Sequence, residues 1–306
     1  MPPTISAQDR VRITVAQDGS GDYLTIQSAI DDCKSFPAQR IRIFVKNGVY
    51  GEKVTIHHWN TRITLSGESR DSTIISFGDY FGQIGRGRNS TFFTQTLHVQ
   101  GNDFRMEHIT VVNTAGAVGQ AIAVSVEADR CSFEDCAIRG HQDSLYVAGE
   151  GFRQYFVECE IEGTTDFIFG SGTAVFENCR IHSLSSSYVT AASTFEGTLF
   201  GLVFLNCDFS AAPGIKDVFL GRPWRPFART VLIDCHLGGH IHPQGWDNWG
   251  DPSSEQTAFY GESGSKGPGA APKRRVAWSH SLSEEQILQY TPLNILGEWI
   301  LRMGEE

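Results

Sequence analysis

The sequence predicts an all-β fold, a parallel β-helix (a solenoid) with short capping helices at its two ends. Three observations predict it. A short pattern recurs, in which an apolar residue, a spacer and an acid or amide precede cysteine. It appears as FEDCAI at Cys136, VECEI at Cys159, FENCRI at Cys179, FLNCDF at Cys207 and LIDCHL at Cys235. An earlier copy, FRMEHITV, has His108 at the cysteine position. From His108 to Cys235 the step between copies stays within about 20–28 residues. Between the copies the chain is a run of short apolar-alternating segments broken by Gly, Asn, Asp and Ser, with almost no helical period. A repeat of that length, built only of strands and turns, is one coil of a solenoid. Equivalent positions on neighbouring coils then stack about 4.8 Å apart.

In chain order, VRITV is a first strand and DGSG a turn. Thr25 opens a helix with Ile26, Ala29, Ile30 and Cys33 on one face and Pro37 beyond its end. That helix suits one open end of the coil stack, where an uncovered sheet edge would invite aggregation. IRIFVKNGVYGEKVTI reads as two strands about a glycine turn, and TRITLSG and STIIS as further strands. The cysteine coils follow. Gly245 to Arg275, rich in Gly, Pro and Ser, reads as a long surface excursion. SLSEEQILQY carries two capping boxes, Ser281 with Glu284 and Ser283 with Gln286, and suits the other end of the stack. No linker divides the chain into two domains.

Composition excludes several classes. With 40% hydrophobic and 20% charged residues the chain is globular rather than disordered. A net charge of −10 argues against a nucleic-acid partner, although Arg86 and Arg88 form a small basic spot. No apolar run approaches the ~18 residues that would cross a bilayer, so no membrane partner is expected. The start shows neither a basic n-region nor an apolar h-region, so no signal peptide is read there. The seven cysteines include no CxxC pair. Five of them share one repeat position and are expected as a column of small buried side chains rather than a metal site.

The coil step carries the chemistry. GHQDSLY holds Gln142, Asp143 and Tyr146, and GTTDFIFG holds Asp166 and Phe169. The interval from Asp143 to Asp166 equals that from Cys136 to Cys159, and also that from Tyr146 to Phe169. The two acids therefore occupy one position on adjacent coils, as do the two aromatics. Carboxylates that close do not comfortably ionise together, so one stays protonated while the other is charged. A nucleophile and a general acid need that division. Gln120, in QAIAV, precedes Gln142 by an interval only one residue shorter. Two amides thus flank the acids and can donate to a developing oxyanion. VFLGRPW adds Arg222, able to hold an ionised carboxylate, and Trp224, a flat face for a sugar ring.

These motifs, with GVYGEKV, STF around Thr91 and the late GSKGPGA, resemble those of the pectin methylesterases (pectinesterases), carbohydrate esterases with a right-handed parallel β-helix fold. They stand in family order along nearly the whole chain. The resemblance implies a single catalytic domain over residues 1–306 with no inhibitor-like prodomain. It implies Asp166 as the nucleophile on the C6 methyl ester of galacturonate and Asp143 as the acid and then the base. Gln120 and Gln142 would stabilise the oxyanion, and Arg222 would orient Asp166. Thr91, Gln120 and Trp224 match substrate-contacting positions, and Tyr146, Phe169 and Arg222 are expected beside them. It implies methyl-esterified homogalacturonan (pectin) as partner, no metal or organic cofactor, a monomer, and a secreted or periplasmic protein. The chain departs from the family pattern at His141, where Tyr is common, and at Thr165, where Val is usual. A pectin lyase or polygalacturonase on the same scaffold, and a non-catalytic carbohydrate-binding β-helix, are the alternatives. The amide pair favours acyl chemistry over the first two, and the complete set of five catalytic-type residues disfavours the third. An acidic enzyme is also repelled by its own anionic product, which favours release after few turnovers.

Overall fold

The computed structural model describes residues 11–303, and the opening residues, where no leader is read, lie outside them. Within that span three parallel sheets of 11, 7 and 8 strands share the chain, and each coil contributes one strand to each sheet through most of the stack. This is the parallel β-helix that the repeat predicts. One apolar core runs inside it from Ile13 to Tyr260.

The repeat motif is a turn. In each copy the residue before the inward-pointing one has a left-handed backbone: Asp135 (φ 45), Glu158 (54), Asn178 (54), Asn206 (53) and Asp234 (55). Asp and Asn tolerate that region better than most residues, which explains the acid or amide in the pattern. The amide N–H of each turn residue donates to the next coil, as Asp135 does to the Val157 carbonyl at 3.1 Å and Asn178 to that of Leu205 at 3.0 Å. The ladder thus passes unbroken through the corner. The earlier copy aligns differently from the expectation. Met106 pairs with Phe133, and His108 (φ 54) is itself the left-handed turn residue. Thr110 pairs with Ala137, so Ile109 and not His108 occupies the position of Cys136 one coil earlier. The sequence pattern slips by one residue because His108 is followed by an apolar residue, just as the acids are followed by cysteine.

The cysteine column forms, and all seven cysteines are free and buried. Their thiols point at carbonyls of the coil before, Cys159 at Phe133 (3.4 Å) and Cys179 at Phe156 (3.4 Å). Beside them runs a ladder of stacked phenylalanines, Phe133, Phe156, Phe176 and Phe204, with centroid distances of 4.6, 4.8 and 4.6 Å. Phe156 touches a ring on both sides and is fully buried. Phe156→Ala is expected to lower the unfolding free energy by about 3–5 kcal/mol, because neighbouring coils cannot collapse into the gap. Urea unfolding measures this; a loss below about 1 kcal/mol would mean that the ladder relaxes freely.

The two ends are closed differently from each other. At the first, Thr25 caps the helix Ile26–Asp31, and Ile26, Ala29 and Ile30 face the core. The Glu52 carboxylate accepts from the Ile26 and Gln27 amides at 2.8 and 2.9 Å, placing a negative charge at the positive end of that helix. At the second, Gly245 to Arg275 is not merely a surface excursion. It supplies the buried Trp246, packed on Tyr260 at 4.6 Å, and the strand Phe259–Ser263. With Trp278 these rings plug the end. The C-terminal helices Glu284–Ile287 and Pro292–Leu296 do not cover an end, contrary to expectation. They lie along the outer face of the 11-stranded sheet, over Val175, Val203, Val231 and Ile233. Ser283 and Gln286 form their capping box, whereas Ser281 belongs to the edge strand His280–Ser281 and forms none with Glu284.

Two smaller differences matter for the site. The stretch read as two strands makes three, Ile41–Val45, Gly48–Tyr50 and Val54–Ile56. Residues without a visible helical period form the helix Phe81–Ile84 and the 3-10 helix Gly87–Phe93. Each is too short for a period to show.

Candidate active site

The seven-stranded sheet presents one outward residue per strand, and pairing sets them in a row: Thr55, His98, Ser125, Tyr146, Phe169, Ala191 and Arg222. The row follows the solenoid axis, the direction in which an extended polymer would lie. The acids stand at the head of two of these strands. Leu145 pairs with Ile168, so Asp143 and Asp166, each two residues earlier, are in register as the spacing predicts. Both have left-handed backbones, with φ of 65 and 50. Their amides bond onward, Asp143 to the Thr165 carbonyl at 3.1 Å and Asp166 to that of Tyr188 at 2.8 Å. The glycines of the second motif are needed for this corner. A Cβ on Gly163 would lie 2.2 Å from the Phe167 side chain, and one on Gly170 (φ 130) 1.9 Å from the Val147 carbonyl oxygen. Strained non-glycine turns cluster at functional sites, and here they aim both carboxyls outward into one cleft.

That cleft is about 280 Å³ and is lined by Thr91, Gln120, Gln142, Asp143, Asp166, Phe169, Arg222 and Trp224, among others. Every residue singled out for the site in the sequence is therefore there, with one exception. Gln120 also bridges to Gln142 as its adjacent-coil partner. The exception is Tyr146, which stands next to Phe169 in the outward row, its ring 4.8 Å from that of Phe169 and 5.1 Å from that of Phe92. Phe169 meets the Trp224 ring edge-on at 5.8 Å.

Arg222 breaks the symmetry of the two acids. Its Nε and a terminal nitrogen donate to the two oxygens of Asp166 at 3.0 and 2.7 Å, a bidentate fork, and no such fork reaches Asp143. The guanidinium is clamped between the rings of Tyr188 and Trp249, 3.8 and 3.6 Å from their centroids. Burial pushes the Asp143 carboxyl well above the usual carboxylate range, and the Asp166 charge pushes it further, with a smaller opposing pull from Arg222. Burial raises Asp166 too, but hydrogen bonding and charge pairing with Arg222 oppose the rise. Both carboxyls are thus raised on balance, Asp143 well above the usual range and Asp166 less, so Asp166 is the first of the two to lose its proton.

Tyr188 and Trp249 escape sequence reasoning for different reasons: Tyr188 stands in register with Asp166 on the next coil but in a stretch without an acid or amide motif to mark it, and Trp249 joins from outside the repeat. Trp249 has a positive φ of 61 in a loop beyond the last cysteine coil, and only its WDNWG surroundings hint at a fixed turn. Phe81, Arg88 and Phe92 also line the cleft, on the short helices that no period announces. Of the basic spot, Arg88 faces the cleft while Arg86 lies on the Phe93 ring at 4.3 Å. The unusual Thr165 bonds through its hydroxyl to Ser187 on the next coil at 2.8 Å. Among the described residues no group of three or more His, Cys, Asp or Glu converges to hold a metal ion.

Comparison with known proteins places the chain in a family and matches its fold. The Pectinesterase family profile matches residues 12–298. A putative pectinesterase/pectinesterase inhibitor of Arabidopsis thaliana is 39% identical over 300 residues, covering 92% of this chain and 61% of that protein. Pectinesterase 31 of the same plant is 37% identical, covering 90% and 88%. Among solved structures, carrot pectin methylesterase superposes with a TM-score of 0.88 at 34% identity, over 94% of both chains. A pectin methylesterase in complex with a hexasaccharide superposes with a TM-score of 0.80 at 30% identity, over 94% and 97%.

Proposed function

The chain belongs to the pectinesterase family, and on that premise we propose that the cleft hydrolyses the C6 methyl esters of homogalacturonan through an acyl-enzyme on Asp166. One Asp166 oxygen attacks the ester carbonyl carbon, and the carbonyl π pair moves onto oxygen. Gln120 and Gln142, on adjacent coils, donate their side-chain N–H groups to that oxyanion. The tetrahedral adduct collapses, the C–O bond to the methoxy group breaks, and the Asp143 carboxyl gives its proton so that methanol leaves. Asp143, now a carboxylate, takes a proton from water, whose oxygen attacks the acyl carbon. Asp166 departs as a carboxylate and the product leaves as a galacturonic acid unit.

The single observation that carries these roles is the fork from Arg222, which goes to Asp166. A nucleophile must be ionised and a proton donor must not be. Phe169 and Trp224 supply apolar faces for the sugar, and Thr91 a hydroxyl at the rim. Tyr146, beside Phe169 in the outward row, extends that apolar face along the strand stack. The span that matches the family, residues 12–298, acts as one catalytic unit and as a monomer. Its polymeric substrate lies outside the cytoplasm, so it works after export. Among the described residues no helix is long and apolar enough to cross a membrane.

Methanol release from highly methylated pectin, without loss of chain length, tests the reaction. Unsaturated, ultraviolet-absorbing ends would mean a lyase and new reducing ends a glycosidase. The pH profile tests the roles. The rate is expected to rise as Asp166 loses its proton and to fall at higher pH as Asp143 loses the one it must donate. Burial and the Asp166 charge place that second limb well above the usual carboxylate range. A rate that keeps climbing with pH would remove Asp143 as the acid.

A further inference from the structure

The catalytic cleft holds a cation that the reaction derived above does not use. Arg88 lines it beside Thr91, Gln120 and the two acids, and the residue is exposed. Arg222, the other cation of the lining, is held by Asp166. The Arg88 guanidinium has no hydrogen-bond, ion-pair or ring partner among the described residues, whereas that of Arg86 lies on Phe93.

The segment that carries Arg88 is fixed. Within the 3-10 helix Gly87–Phe93, the Ser90 hydroxyl donates to the Gly87 carbonyl at 2.8 Å and accepts from the Arg86 amide at 2.9 Å. Ser90 and Thr91 are buried, and Phe92 packs on Tyr146 at 5.1 Å. The preceding helix is tied to the coil of the oxyanion donors, the Phe81 amide donating to the Gln120 carbonyl at 2.9 Å. The backbone below the guanidinium is therefore set, and only the rotamers of the side chain remain free.

Position relative to the acids narrows what this cation can bind. Burial, then Asp166, then Arg222 act on the Asp143 carboxyl, and burial and Arg222 act on that of Asp166; Arg88 influences neither. Its charge thus stands off from the ester under attack, over ground that a neighbouring sugar of an extended chain would occupy. A methyl-esterified neighbour is neutral and offers a cation little. A de-esterified one presents a planar carboxylate, which the guanidinium fork matches.

We propose that Arg88 binds the carboxylate of a de-esterified galacturonate beside the unit being attacked, so that the product of one turnover favours the next on the same chain. The proposal rests on the esterase function given above and names the neighbouring unit that this site prefers. It opposes locally the product repulsion that a net charge of −10 predicts.

The test titrates the full chain calorimetrically with fully de-esterified hexagalacturonate, which has no ester to turn over. Charge reversal in Arg88→Glu is expected to weaken binding at least about tenfold. The KM for fully methylated hexagalacturonate should change far less, because that chain carries no charge. On long pectin the variant should leave shorter demethylated blocks than wild type. No binding by wild type, unchanged affinity in Arg88→Glu or unchanged block lengths would overturn the proposal. So would an equal loss in Arg274→Glu, an exposed residue that does not line the cleft, since the effect would then be one of net charge. A loss of the same size on the methylated hexamer would make Arg88 a contact to hydroxyls and would overturn it as well. Because the titration is read without turnover, failure of the esterase reading is seen separately, as absence of methanol.

Discussion

Asp166→Asn is expected to lower methanol release from methylated pectin by at least about four orders of magnitude while leaving the fold intact. The amide has no carboxylate lone pair with which to form the acyl intermediate, so substrate binding and the oxyanion donors alone remain. The residue is 6% exposed and Asn has nearly the same shape, so packing is preserved. Arg222 loses an anionic partner, yet it keeps its place between Tyr188 and Trp249. Loss of the charge opposite Arg222 should lower the melting temperature by several degrees without abolishing cooperative unfolding, and activity is compared below that transition. Methanol assay and thermal denaturation monitored by circular dichroism report the two quantities on one sample. A variant that retained most of its methanol release would transfer the nucleophile's role elsewhere.

The next largest effect is expected at Arg222, and it carries a pH signature that simple loss of structure would not. Arg222→Met removes the fork and leaves Asp166 buried without a counterion. Burial already raises this carboxyl, and Arg222 is what opposes the rise. Without it the pKa climbs further, the ionised fraction at a given pH falls, and the acid limb of the rate profile moves to higher pH. The alkaline limb, set by Asp143, is raised slightly because Arg222 also pulls Asp143 down, but that pull is the smallest of its influences. The bell should narrow from its acid side, with kcat reduced by about 10²–10³ at its maximum. Arg222→Lys keeps a charge but loses the planar fork, so it should recover the position of the acid limb more than the rate. Identical profiles for wild type and Arg222→Met would separate Arg222 from Asp166 in function. Breaking a buried pair also costs about 3–5 kcal/mol of stability, so activity is compared only where both proteins are folded.

The pair of acids is legible in the sequence because a solenoid converts equal spacing into adjacency. Asp143 and Asp166 are in register for the same reason that Cys136 and Cys159 are, and no knowledge of side-chain geometry is needed. What spacing cannot supply is the difference between them, since stacked positions are equivalent by construction. That difference comes from Arg222, two coils further on, and from Tyr188 and Trp249 around it. Trp249 belongs to a loop outside the repeat, so no periodicity points to it. The slip at His108 has a related cause. A pattern of residue types fixes a position only to within one residue, and only the left-handed φ decides which residue makes the corner. The C-terminal helices lie on another surface than expected because an apolar stripe shows that a helix is buried, not against what. Val203, Val231 and Ile233 point away from the solenoid interior and need a cover that the sequence does not advertise.

The clamp on Arg222 makes the solenoid unequal in its two directions of growth. Asp166 heads the strand Ile168–Gly170, Arg222 lies in Phe219–Pro223 with Tyr188–Ala192 between them, and Trp249 arrives from beyond the last cysteine coil. A coil duplicated among the early turns, near Val54–Ile56 or Leu97–Val99, would lengthen the outward row and leave every catalytic distance unchanged. A coil duplicated after Gly170 would carry Arg222 one strand spacing away from its carboxylate and beyond hydrogen-bonding reach. Variation in coil number among descendants of such a chain is therefore expected to accumulate on the amino-terminal side of Gln120, with the carboxy-terminal side held at fixed length.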